Sequence, residues 1–426
     1  MFTKVLRCLP SRCAQVAKKL KLTKEVLMRY LIVIICLAIN TISFCQTYAI
    51  KADRLIDGKS DKALDSPTVI VYQKKIIDVN FNNQMPDSAE IIDLKGYTIL
   101  PGLIDAHTHL LTDGSDYAKN LYGNSSAFRA VRAVSFLETS LMNGFTTIRD
   151  VCTEGAGFAD VDLSKAVKLG YIIGPRIFPS TKGIATNGNY YPDPRSQNWD
   201  IPLPSGTQYV SGQAECLSAV REQITRGATW IKVYVDWANI SFTFEEMSTI
   251  VQEAKRYNVN VAAHAVYRDG IEFAIKAGAR SIEHGFEFNE KLIQLAKDSN
   301  VFWCPTILVL EHLKRPMDSL YKNLNIAYKK GLKIVLGTDI GSTPWTINQA
   351  KELEYYVKKG GLKPIDAIKS GTSIAAELLS KQNEFGQIEK NFLADVIAVK
   401  GNPLEDITLL QKVDFVMKEG KIYKKP

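Results

Sequence analysis

Short apolar segments typical of β-strands alternate with amphipathic segments typical of helices from about residue 97 to residue 358. A helix-like segment such as FEEMSTIVQEAKRYN follows most of the strands. Eight such units in about 260 residues fit a (β/α)8 TIM barrel better than a doubly wound sheet, which has the same alternation. We therefore predict an α/β protein whose barrel covers residues 97–379. The predicted strands are YTILPGLIDAH, FTTIRDVC, RIFPSTKG, WIKVYV, VNVAAHA, SIEHG, VFWCPT and KIVLGTDIG.

The regions on either side of the barrel have a different pattern, in which strands alternate with turns. Residues 46–96 contain YAIKADRLIDG and TVIVYQKKIIDVN, and residues 380–426 contain ADVIAVKG and VDFVMKEGKIYKK. Each flank is too small to bury a core alone. We predict that the two flanks combine into one small β-sandwich domain that is discontinuous in sequence.

The first 45 residues differ in charge from the remaining chain. They hold eight Lys or Arg and one Glu, which accounts for most of the net charge of +8, so the body is nearly neutral and gives no argument for nucleic acid binding. The apolar run YLIVIICLAINTISF is short for a membrane span and suits a signal peptide. We expect an exported protein, periplasmic or extracellular, with no stable membrane span after processing. A retained anchor, lipid attachment at Cys45 and a translation start at Met28 are alternatives.

Four of the five histidines lie at the ends of predicted strands. His107 and His109, in DAHTHL, are two residues apart, so on a strand their imidazoles point to the same face. His264 and His284 end the fifth and sixth strands, and Asp339 ends the eighth in GTDIG. Because the carboxyl ends of barrel strands form the active site, we predict that these side chains converge on a metal centre.

The fourth strand, WIKVYV, places a lysine inside the barrel. Alternation directs its isoleucine and valines toward the helices and Trp230, Lys232 and Tyr234 inward. A buried ammonium beside metal-binding histidines is unfavourable. A neutral amine that captures carbon dioxide becomes a carbamate, which is an anionic ligand able to bridge two metals. A lysine that reaches solvent or pairs with a carboxylate is the alternative.

These motifs resemble those of the amidohydrolase superfamily, and in particular its imidazolonepropionase-related, Xaa-Pro dipeptidase-like branch. The resemblance covers about residues 47–426 and includes the order HTH, Lys, His, His and Asp. It rests on LPGLIDAHTHL, GFTTIRD, GATWIKVY, IEHG and GQIEKNFLADVIAV.

The resemblance implies two divalent metal ions, with zinc expected, and N6-carboxylation of Lys232. It assigns His107, His109 and Asp339 to one metal, His264 and His284 to the other, and carboxylated Lys232 to both. A bridging hydroxide would then hydrolyse an amide bond in a dipeptide (Xaa-Pro or related) or an N-acyl amino acid. Asp339 would be the catalytic acid and base.

Substrate-binding residues are expected after the third and fourth strands. The Tyr234 hydroxyl could reach a substrate carbonyl or carboxylate, and Asn189 and Tyr190 stand where relatives often carry a glycine-rich segment ending in histidine. Two other functions remain open: a mononuclear cyclic amidohydrolase like imidazolonepropionase, and a non-catalytic binding protein. The expected partner is a small-molecule or dipeptide substrate, with no nucleic acid, and a homo-oligomer is possible.

Overall fold

The computed structural model describes residues 47–187, 205–237 and 242–426, and the strands and helices named below lie within these ranges. A short π-helical turn, Lys119–Gly123, and a 3-10 turn, Ile407–Gln411, accompany them. The strands are β1 Thr47–Leu55, β2 Leu64–Asp65, β3 Thr68–Tyr72, β4 Lys75–Asn80, β5 Glu90–Pro101, β6 Leu103–Thr108, β7 Phe145–Asp150, β8 Arg176–Pro179, β9 Gly183–Thr186, β10 Thr207–Val210, β11 Trp230–Tyr234, β12 Asn260–Ala265, β13 Ser281–His284, β14 Phe302–Cys304, β15 Val396–Lys400, β16 Val413–Lys418 and β17 Lys421–Lys424. The α-helices are α1 Ser126–Met142, α2 Ala159–Lys168, α3 Gly212–Thr225, α4 Phe244–Arg256, α5 Arg268–Ala277, α6 Glu290–Asp298, α7 Ile307–His312, α8 Asp318–Lys330, α9 Lys351–Lys358, α10 Pro364–Ser370 and α11 Ser373–Leu378. Across the described ranges, no helix has both the length and the apolar character needed to cross a membrane.

The parallel strands that carry the predicted site form two sheets. One has the order β6-β7-β8, and the other has the order β10-β9-β11-β12-β13-β14. The predicted eighth strand, residues 333–341, forms isolated bridges rather than a ladder, yet it joins both sheets. The Trp303 N–H donates to the Lys333 carbonyl at 2.9 Å, and the Asp339 N–H donates to the His107 carbonyl at 2.8 Å. Asp339 is thereby fixed beside the end of β6.

The described parts of the two flanks meet in one mixed sheet of eight strands. Its order is β17-β16-β15-β5-β1-β3-β4, with β2 paired to β1. The junction is the antiparallel pair of β5 and β15, which joins the N-terminal flank to the C-terminal one. Buried Ile50, Val69, Ile99, Val396 and Phe415 belong to its apolar core. A sandwich of two facing sheets, and the two-domain division itself, stay predictions.

The sequence segment YTILPGLIDAH does not form a single barrel strand. Residues 97–101 end β5 and pair with β15, whereas β6 begins at Leu103. The chain passes from one sheet to the other at Gly102, where a Cβ atom would lie 2.2 Å from Oγ1 of Thr146. Glycine allows this close crossing, which the alternation of apolar residues does not reveal, and the barrel bounds of 97–379 stay a prediction. In RIFPSTKG, the first four residues form β8 and the last residue, Gly183, begins β9.

The side chains of β11 alternate as predicted. Ile231 and Val233 pack in the large core that includes Val220 of α3 and Met247 of α4. Trp230 instead packs in a smaller core with members from β6, β12 and β14. This register places Lys232 on the inner face, toward the candidate site.

Candidate metal centre

The six predicted metal ligands lie around one cavity at the carboxyl ends of the strands. Five of them, all except His107, line this cavity, whose volume is about 660 Å³. His107 lies just behind it, with its ring centroid 5.4 Å from that of His109 and 4.9 Å from that of His284. The rings of His264 and His284 are 4.5 Å apart. The structure therefore brings together the residues that were separated by up to 232 positions in sequence.

His107, His109 and Asp339 form a group that could hold a metal ion. Their possible ligand atoms lie within 4.8 Å of one another. Oδ1 of Asp339 is 3.3 Å from Nε2 of His109 and 3.8 Å from Nε2 of His107. Nε2 of His107 is buried and has no hydrogen-bond partner in the described structure. A buried polar atom without a partner is costly, so this donor set fits a metal ion.

Burial and mutual contacts shift the pKa values of His107, His109 and Asp339. Burial, with a further contribution from Lys232, lowers the pKa of His107 to about 4, so its imidazole is neutral and able to bind metal at pH 7. Burial also opposes protonation of His109, but the hydrogen bond and charge of Asp339 raise the pKa of His109 to about 9. Burial likewise disfavours ionised Asp339, yet His109 holds the pKa of that carboxyl below its ordinary value.

The second pair of histidines is also prepared as neutral ligands. Burial, and then neighbouring positive groups, hold the pKa of His264 and of His284 well below the ordinary value. Nδ1 of His284 is 2.9 Å from Oγ1 of Thr306, which leaves Nε2 for another partner. His284, Thr306 and Asp339 all have positive φ angles, of 71°, 48° and 57°. Such strained backbone is concentrated at functional sites.

Lys232 is 1% exposed and lines the same cavity as His109, His264 and His284. Within the described ranges, no carboxylate forms a salt bridge with its Nζ, which lies 5.1 Å from the centre of the Tyr234 ring. Burial lowers the pKa of Lys232. A buried amine of this kind has the environment that carbamate formation requires, since only the neutral amine reacts with carbon dioxide.

Glu283 is a buried residue beside His107 to which the sequence reasoning gave no role. Its Oε2 lies 2.7 Å from Nδ1 of His107, and its Oε1 accepts from Arg149 at 2.7 Å and from the Ser281 hydroxyl. Burial opposes ionisation, but Arg149 and His107 hold the pKa of Glu283 well below its ordinary value. Arg149 of β7 reaches β13, where it also donates to the Ser281 hydroxyl at 3.1 Å. Glu283 could have been recognised from the sequence, because a residue two positions after Ser281 lies on the same face of the strand.

We expect Glu283→Gln to weaken metal binding by about 10- to 100-fold, because a glutamine places an amide N–H₂ against either Arg149 or His107. Competition with a chelator measures the affinity, and thermal unfolding checks the fold. Glu272→Gln, at an exposed pair with Lys276, is the control that should bind metal normally. Unchanged metal affinity in the Glu283 variant would show that this carboxylate does not orient His107.

Of the three predicted substrate-binding residues, the structure describes only Tyr234. Tyr234 lines the cavity, where its hydroxyl donates to Oε1 of Glu154 at 2.7 Å. Asn189 and Tyr190 lie outside the described residues. The sequence reasoning also missed Glu154 and Tyr117, which line the same cavity and follow strands as loop residues without a recognisable motif.

The amidohydrolase family model matches residues 98–423. The chain belongs to the amidohydrolase family. The prediction of a hydrolase acting on C–N bonds is confirmed, as is the resemblance to imidazolonepropionase and to Xaa-Pro dipeptidase.

Curated relatives cover most of the chain. Ochratoxinase of Aspergillus niger is 32% identical over 373 residues, which are 77% of this chain and 76% of that one. Imidazolonepropionase of Thermoanaerobacter pseudethanolicus is 26% identical over 378 residues, covering 80% of this chain and 86% of that one.

Solved structures agree with these relatives. A Xaa-Pro dipeptidase with bound methionine in its active site superposes with a TM-score of 0.81 and 34% identity, covering 89% of this chain and all of that one. The crystal structure of Aspergillus niger ochratoxinase gives a TM-score of 0.79 and 29% identity, covering 89% of this chain and 96% of that one. The fold is therefore that of the amidohydrolase TIM barrels, while closure of the barrel in this chain stays a prediction.

Proposed function

We propose that this chain is a binuclear metal-dependent amidohydrolase that cleaves an amide bond in a dipeptide, Xaa-Pro or related, or in an N-acyl amino acid. The observation that carries the proposal is the convergence of four imidazoles, one buried lysine and one carboxylate on a single cavity. These groups are more numerous than the four ligands that a single tetrahedral zinc ion binds.

The residues divide into two ligand sets with one shared member. His107, His109 and Asp339 would hold one ion, and His264 and His284 the other. Lys232, carboxylated on Nζ, would contact both. Zinc suits this set of imidazole and oxygen ligands. When bound, a pair of such ions supplies a water of lowered pKa and polarises the scissile carbonyl.

Asp339 is the group that we propose to move the proton. The low pKa of its carboxyl leaves it ionised at neutral pH, so it can accept a proton from the attacking water and deliver it to the leaving amine. The hydroxyl of Ser342 donates to its Oδ1 at 2.7 Å and helps to orient it. Asp339 and Ser342 both line the cavity, as do His109, His264 and His284.

The substrate class is supported by related structures. One of them is a prolidase complexed with N-methylphosphonate-L-proline, with a TM-score of 0.77 and 27% identity. Another is the Xaa-Pro dipeptidase described above. Ochratoxinase is a further amide hydrolase among the similar proteins. We propose that this chain shares the dipeptide or N-acyl amino acid chemistry.

The test is hydrolysis of a mixed library of dipeptides and N-acyl amino acids by the zinc-loaded protein. We expect release of free amino acids, with Xaa-Pro dipeptides among the substrates. Hydrolysis of cyclic amides alone would favour the imidazolonepropionase-like alternative, and no hydrolysis of any of these would favour a binding protein.

We further propose that residues 1–45, which lie outside the described residues, are a signal peptide that is removed on export. Mass spectrometry of protein recovered from an exporting host tests this. A mass that begins near Gln46 is the expected result, and retention of residues 1–45 would contradict it.

A further inference from the structure

A buried carboxylate of α9 holds the segment that follows β14. Glu352 is 0% exposed, and its two oxygens accept from successive backbone donors. Oε1 accepts from the Ile307 N–H at 2.8 Å, and Oε2 accepts from the Leu308 N–H at 2.7 Å. These are the first two residues of α7, whose N–H groups have no partner within the helix itself. Glu352 therefore fixes the start of α7 to α9.

The residue directly before α7 contacts a proposed metal ligand. Thr306 is fully buried, and its Oγ1 lies 2.9 Å from Nδ1 of His284. Its φ of 48° lies in the left-handed region, which a β-branched residue rarely adopts, so neighbouring contacts must hold it there. Glu352 supplies such contacts, because it binds the two N–H groups that follow Thr306. We call Glu352 and Thr306 the α7 clamp.

His284 is held at both its backbone and its ring. The indole N–H of Trp303 donates to the His284 carbonyl at 2.8 Å, while the Thr306 hydroxyl lies against Nδ1. A neutral imidazole has one nitrogen that donates and one that accepts. When Nδ1 donates to Thr306, the lone pair is on Nε2, where a metal ion can bind it. The α7 clamp thus favours both the ring orientation and the tautomer that a ligand needs.

The histidines of the other ligand set have partners of their own. Nδ1 of His107 is 2.7 Å from Oε2 of Glu283, and Nδ1 of His109 is 3.1 Å from the carbonyl oxygen of Cys152. These partners belong to β13 and to the loop after β7. A change in the α7 clamp therefore leaves the contacts of His107 and His109 in place.

We propose that the α7 clamp positions His284 and thereby sets the affinity of the second ion separately from that of the first. Glu352 and Thr306 act through His284, so they are positioning residues rather than ligands. This inference rests on the proposed binuclear function and deepens it, because it gives each ion its own supporting residues.

The experiment titrates zinc into metal-free protein in competition with a chelator, which measures the two affinities. Thr306→Val keeps the shape of the side chain and removes its hydroxyl. We expect it to lower one affinity by about 10- to 100-fold and to leave the other within about twofold. Glu352→Gln should lower the same affinity by about tenfold, since an amide nitrogen cannot accept the second N–H. Glu283→Gln should lower the other affinity.

A kinetic readout separates positioning from a general loss of structure. At limiting zinc, kcat/KM of Thr306→Val should fall by about 10- to 100-fold, and saturating zinc should restore it to within a few fold. A variant that is merely less stable would show a lower unfolding temperature and no such rescue. Thr306→Ser restores the hydroxyl and should recover most of the zinc affinity.

Two control variants test whether the effect is specific. Glu354→Gln changes a carboxylate of the same helix, α9, that pairs with Lys358 at 2.9 Å. Thr249→Val removes a hydroxyl of α4 that donates to the Glu245 carbonyl at 2.7 Å. Both variants should bind two zinc ions with the affinities of the wild type.

The possible outcomes distinguish this inference from the proposed function. Unchanged zinc affinities in Thr306→Val and Glu352→Gln, or an equal weakening of both ions, would overturn the inference while a wild type with two ions keeps the binuclear centre. A wild type that binds a single ion would contradict the proposed binuclear function, and the separate effect on a second ion with it.

Discussion

Lys232→Ala is expected to lose about 10³-fold or more in kcat/KM together with much of its bound metal. Lys232 is 1% exposed and lines the cavity, and its proposed carbamate would be the only ligand shared by both ions. Loss of a shared ligand removes several kcal/mol of transition-state charge stabilisation, at about 1.4 kcal/mol for each tenfold in rate. Steady-state kinetics and elemental analysis on the same preparation measure both effects.

Chemical rescue separates a ligand role from a packing role. A short-chain carboxylic acid added to the Lys232→Ala variant can occupy the vacated space and supply the missing carboxylate, so partial recovery of activity and metal is expected. Lys182→Ala, at a partly exposed lysine that pairs with Glu222, is the control that should keep full activity. A Lys232→Ala variant with normal metal content and normal turnover would refute the bridge.

Asp339→Asn is expected to lower kcat by about 10²- to 10⁴-fold, the range typical of a lost general acid and base. Asparagine keeps the size of the side chain and one accepting oxygen, so the hydrogen bonds from His109 and Ser342 can be retained in part. The amide cannot take a proton at neutral pH, which is why turnover should fall far more than stability. The measurements are kcat with saturating zinc and the temperature of thermal unfolding.

Ser342→Ala is the milder comparison for Asp339. It removes one hydrogen bond to Oδ1 without changing the carboxylate itself, so kcat should fall by only a few fold. Turnover of Asp339→Asn equal to that of the wild type, with metal in place, would remove the proton-transfer role.

The alternation of side chains along single strands was sufficient to predict which side chains face the candidate site. The two-residue period of a strand directs His107 and His109 to one side, and the same period turns Trp230, Lys232 and Tyr234 inward in β11. The general geometry of TIM barrels then predicts that the carboxyl ends of the strands lie close together. These residues could be recognised because their positions follow from one strand at a time.

Contacts between elements were not predictable in the same way. Glu283 meets His107 only through the register between strands far apart in sequence, and Arg149 reaches Glu283 for the same reason. Glu154 depends on a loop conformation with a positive φ of 49°, which apolar periodicity does not encode. The division of YTILPGLIDAH at Gly102 likewise depends on a close contact with another strand.

Metal stoichiometry tests the central claim most directly. Protein purified with zinc and bicarbonate, and then freed of excess metal, is analysed for zinc per chain beside the same protein treated with a chelator. Two ions per chain, with amide hydrolysis lost on chelation and restored by zinc, is the result that we predict. One ion per chain at full activity would contradict the binuclear centre.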